Sequence, residues 1–64
     1  MKIAIGFCAE KERASAARLL SKKLLDSVKE DGCWIVCPDK EIAADVAAVL
    51  IGRFREFEVI PTNA

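Results

Sequence analysis

The sequence predicts an α/β fold: one small βαβαβ domain over residues 1–64, with a three-stranded parallel sheet and two helices on one of its faces. Three observations point there. A period-two apolar run opens the chain, two stretches of helix formers follow, and each stretch lies between short segments of strand character. Both stretches exceed the dozen or so residues that a crossover between parallel strands requires.

Each element follows from its residues. Lys2-Ile-Ala-Ile-Gly-Phe-Cys8 puts Ile3, Ile5 and Phe7 on one side and Ala4 and Gly6 on the other, a strand pattern. From Ala9 to Glu30 there is neither Gly nor Pro, and Ala17, Leu20, Leu24 and Val28 recur at helical spacing. Asp31-Gly32 then ends the helix, with Gly32 suited to the left-handed position beyond it. Cys33-Trp-Ile-Val-Cys37 is a continuous apolar run between Gly32 and Pro38, as expected of a central strand buried on both faces. Asp39 is placed to cap a second helix, whose inner face carries Ile42, Val46, Val49, Leu50 and Arg53. Arg55 to Ile60 sets Phe57 and Val59 against Glu56 and Glu58, an edge strand that Pro61 ends.

Composition narrows the function classes. Ten basic and ten acidic residues cancel, which argues against nucleic-acid or membrane-surface binding by bulk electrostatics. The chain has no His, so the commonest metal ligand and general base are both missing. Cys8, Cys33 and Cys37 are too few to close a structural zinc site without carboxylates or a second chain, and their odd number does not suit a secreted disulfide scaffold. No metal and no cofactor is implied. Nothing near Met1 has the length of a signal-peptide core or a spanning helix, so the expected location is the cytoplasm.

In a parallel sheet, ligands bind at the C-terminal ends of the strands. Here that edge would bring together Cys8 and Glu10 from one loop and Cys37, Asp39 and Lys40 from the other. Cys8 is the candidate reactive thiol, because it precedes a helix N-terminus, while the carboxylate of Asp39 opposes ionisation of Cys37. Cys33, at the far end of its strand, would be inert. The segment Cys8-Ala-Glu-Lys-Glu-Arg13 resembles the phosphate loop of the cysteine phosphatases, but four residues intervene instead of five, and two are Glu. The element order is similar to the opening half of the histidine phosphatases, yet Phe7-Cys8-Ala9 and Asp39-Lys40 stand where their catalytic Arg and His would be, so the resemblance implies no activity. The basic residues Lys11, Arg18, Lys22 and Lys29 are interspersed with acids, as on a solvated face.

Two helices on one face leave the other face of the sheet bare, and a bare apolar face marks an interface. The expected function is a self-associating interaction or assembly module without catalysis of its own. Its homodimer surface would draw on Ile3, Ile5, Phe7, Phe57 and Val59, and an unidentified protein is the other partner such a face would take. The alternative is a small-molecule or phosphate-binding, or thiol-dependent, domain using the loops after the first two strands.

Overall fold

The computed structural model describes residues 2–53 and 57–62. Their elements are β1 (Lys2–Gly6), α1 (Glu10–Ala17), α2 (Lys22–Ser27), β2 (Lys29–Asp31), β3 (Trp34–Cys37), α3 (Lys40–Ile51) and β4 (Glu58–Thr62). The sheet has four strands in the order β2-β3-β1-β4, and every neighbouring pair is antiparallel. This overturns the three-stranded parallel sheet with two helices. In place of βαβαβ stands an interleaved β-α-β-β-α-β chain, in which β3 separates β1 from β2 and β1 separates β3 from β4. That is the split β-α-β pattern of ferredoxin-like topologies, which by itself carries no function.

The reversal originates at residues 18–33. The expected single helix from Ala9 to Glu30 is two short ones. Arg18 is the C-cap of α1, and Ser21 starts α2 as its N-cap, its Oγ accepting the Leu24 amide at 3.3 Å. Lys29–Asp31 then leaves helical geometry and pairs with β3, Lys29 opposite Val36 and Asp31 opposite Trp34. Gly32 and Cys33 form the two-residue loop between them. Gly32 has φ +58° and no other residue has a positive φ among those described, the pattern of a type II′ hairpin turn with Gly at its first central position. Asp31-Gly32 is therefore a hairpin corner and not a helix stop. One added strand reverses the direction of β3 against β1, and the sheet becomes antiparallel.

The helices pack on one face of the sheet. Ile5 of β1 with Ile35 and Cys37 of β3 meets Ala16, Leu20, Ala43, Val46 and Leu50, all in one buried cluster. The spacing of Ala43, Val46 and Leu50 sets the inner stripe of α3, whose N-terminus is capped where expected: Asp39 Oδ1 accepts the Ile42 amide at 2.9 Å. Arg13 ties α1 to the hairpin, Nε donating to the Gly32 carbonyl at 2.9 Å and the guanidinium pairing with the Glu30 carboxylate. The last strand differs too. It runs to Thr62 through Pro61, which stands opposite Ile3 in a strand with β1 as its sole neighbour among the described residues, the edge setting in which a sheet tolerates proline. Arg55 and Glu56 of the expected strand lie outside the described residues.

Candidate functional site

The face of the sheet away from the helices can be read from the register. Ala4 pairs with Val36 and with Ile60, and Gly6 pairs with Trp34 and with Glu58. Alternation puts these residues on the side opposite Ile5 and Ile35. Of these, Ala4, Trp34, Val36 and Ile60 line an open depression of about 530 Å³ together with Lys2, Lys29, Asp31 and Thr62. Its floor is apolar, and Trp34 and Ile60 remain 36% and 40% exposed. On the helical side Ile5 and Ile35 are fully covered.

Trp34 is held in place by its partner across the ladder. A Cβ added at Gly6 would lie 2.5 Å from Trp34 Cζ3 and 2.8 Å from Cε3 and Cη2, so the indole lies directly over the glycine backbone. Gly6 has no positive φ; it is required for close approach and not for conformation. The result is an aromatic plate on the sheet, one side against Gly6 and about a third of the residue exposed. Lys2 and Lys29 border the depression as cations and Asp31 as an anion, with Glu58 on the same face by alternation.

The residues expected to form the interface lie mostly elsewhere. Ile5 and Phe7 are buried beneath the helices, and Ile3 is half-buried against the same core. Phe57 packs its ring 6.3 Å from that of Phe7. Val59 is exposed, but it pairs with Ile5 and so sits on the helical side of the edge strand. The bare face belongs instead to the small residues Ala4 and Gly6 and to their partners.

The expected ligand residues are separated as well. Because β1 and β3 are antiparallel, the loops that follow them emerge at opposite ends of the sheet. Cys8 and Glu10 are exposed at the end where the Phe7 amide donates to the Cys33 carbonyl at 2.9 Å, so Cys33 shares the end of Cys8. Cys37 lies opposite Ile3 at the other end, followed by Asp39 and Lys40. Asp39 is engaged as the α3 cap, and Lys40 is exposed on the first turn. The two loops do not build one pocket. No cluster of His, Cys, Asp or Glu suited to a metal ion exists among the described residues, and no described helix is long and apolar enough to cross a membrane.

Cys37 is fully buried, and its thiol is pushed from 9.0 to about 11, first by burial and then by the charge of Asp39. A buried, protonated thiol is packing material and not a nucleophile. The shift has a measurable consequence. The folded state holds the proton more tightly than the unfolded chain, so the stabilisation is complete below pH 9 and is lost as pH rises through 11. Two units correspond to roughly 2–3 kcal/mol. Urea unfolding at pH 8 and at pH 10.5 should show this loss in the native sequence and a much smaller one in Cys37→Ala; equal losses in both would assign the alkaline sensitivity to another group.

Sequence reasoning missed Trp34, placing it in a strand buried on both faces, and it missed the rim of Lys2, Lys29 and Asp31. Two signals could have found them. Asp31-Gly32 before an aromatic, β-branched run is a hairpin signal, and small residues alternating at Ala4 and Gly6 leave room for a large neighbour above them. Comparison with protein-family models, curated proteins and solved structures gives no match for this chain.

Proposed function

We propose that the chain is a small self-associating interaction module that works through the open face of its sheet, a second copy covering the depression beside Trp34. The observation that carries this reading is the Trp34 plate, an aromatic ring fixed over Gly6 on a sheet face that no described helix covers. Fixed aromatic area at the centre of a patch is what interface anchors require, because little side-chain entropy remains to be lost. The rim supports a second copy over a polyanion: Lys2 and Lys29 are balanced by Asp31 and Glu58 on the same face, and the chain as a whole is neutral. The free thiols of Cys33 and of the buried Cys37 suit a reducing compartment such as the cytoplasm.

Size sets the strength. Four strands about 4.8 Å apart and three to five residues long give a face of roughly 19 by 14 Å, on the order of 300 Å² per copy. That is well below the roughly 800 Å² per partner of a standard interface, so the association is weak, with a Kd on the order of 10 μM to 1 mM. Sedimentation equilibrium across that range should show a reversible monomer–dimer transition, and Trp34→Ser should shift it at least tenfold toward monomer. A native sequence that stays monomeric at about 1 mM would overturn the proposal.

A further inference from the structure

The charges on the open face are sorted along the strands, and this sorting selects one way for two copies to meet. Across the sheet, one row reads Lys29, Val36, Ala4, Ile60, and the next reads Asp31, Trp34, Gly6, Glu58. Lys2 and Thr62 follow beyond the first row. The cations thus occupy one end of the face and the anions the other.

A face-to-face pair with two-fold symmetry can place its axis in two principal ways. With the axis along the strands, each row meets its own copy: Asp31 lies over the partner's Glu58, like charge on like charge, and Lys29 lies over the partner's Ile60. With the axis across the strands, the two rows exchange. Lys29 then meets the partner's Asp31, the side chain of Trp34 meets the partner's Val36, and Ala4 meets the partner's Gly6. The second arrangement joins opposite charges at the β2 edge and sets Trp34 against an apolar neighbour; at the β4 edge Glu58 meets the partner's Ile60, and no like charges are opposed in these two rows.

Resting on the self-association proposed above, we infer that two copies pair with the two-fold axis across the strands, Lys29 of each facing Asp31 of the other. Both side chains are exposed on the edge strand β2, so substitutions there leave the core untouched. Rim charges chiefly set orientation and encounter, and a single opposed pair changes affinity by a modest factor.

The test is sedimentation equilibrium of Lys29→Asp, Asp31→Lys and the double variant, with far-ultraviolet circular dichroism to verify folding. Each single variant opposes two like charges at both symmetry-related contacts and should weaken dimerisation about fivefold or more, and the double variant should return it close to the native value. Tightening by Asp31→Lys, which under the other axis would pair with the partner's Glu58, overturns the assigned geometry while leaving self-association in place. Insensitivity to Lys29→Asp in a protein that still dimerises overturns it too. A native chain that never dimerises removes the proposed function, and this inference with it.

Discussion

Replacing Ile35 with Ala is expected to lower the free energy of unfolding by about 2–5 kcal/mol. Ile35 is fully buried on β3, paired with Ile5 on one side and Glu30 on the other, and it faces the helical core. Removing its outer carbons leaves a cavity beneath the helices and forfeits the transfer free energy of the lost methylene and methyl groups. A domain of this length has on the order of 3–10 kcal/mol of total stability, so the variant should lose a large share of it. Ile35→Val, which keeps most of the volume, should cost only about 0.5–1.5 kcal/mol. Urea titrations followed by far-ultraviolet circular dichroism distinguish these values. A loss below about 1 kcal/mol for Ile35→Ala would mean that β3 is not held between the helices and its two neighbours as described.

The second large effect is expected at Gly6, and its sign should depend on Trp34. In the native background, Gly6→Ala forces the new methyl into the indole, which must leave its seat, at a cost of roughly 1–3 kcal/mol. In a Trp34→Ala background the space is empty. There, alanine at position 6 should be neutral or stabilising by about 0.5–1 kcal/mol, because glycine inside a strand has more backbone freedom to lose. The coupling in a double-mutant cycle should therefore exceed 1 kcal/mol. The fluorescence maximum of the single tryptophan should also move to longer wavelength in Gly6→Ala as the ring is lifted into water. Additive effects of the two substitutions would contradict the close approach of Trp34 to Gly6.

Local patterns in the sequence were legible where one face of an element is buried by the chain itself. The alternation over Lys2–Gly6 identifies β1, and Asp39 with the stripe through Val46 and Leu50 identifies α3 with its cap. The middle of the chain was not legible, for a physical reason. Residues 9–28 hold no Gly or Pro, and Leu20 and Leu24 continue the helical spacing, so nothing in the apolar pattern marks a break. The break is made by Ser21, whose hydroxyl competes as a helix cap and begins a new axis. The adjoining Lys29-Glu-Asp31 has weak strand propensity and lies on the surface, and it becomes a strand only because the Gly32 turn brings it beside β3.

The topology error carried over to the site. A parallel sheet would gather the loops holding Cys8 and Cys37 at one edge, whereas the hairpin sends them to opposite ends. The same hairpin turns the polar Lys29 and Asp31 toward the bare face, where they border Trp34. The expected interface on Ile3, Ile5 and Phe7 assumed that large apolar residues mark an open face. Here the helices claim that side, since it offers more apolar area to bury, and the side of Ala4 and Gly6 is left to a tryptophan.

The central claim, that the open sheet face is the working surface, is tested most directly by amide chemical shifts of the isotope-labelled chain across a concentration series. With rising concentration, shifts should move at Ala4, Gly6, Asp31, Trp34, Val36 and Ile60, including the Trp34 indole N–H, while the exposed positions of α1 and α3 stay fixed. Movement confined to the helices, or none at all up to about 1 mM, would contradict it.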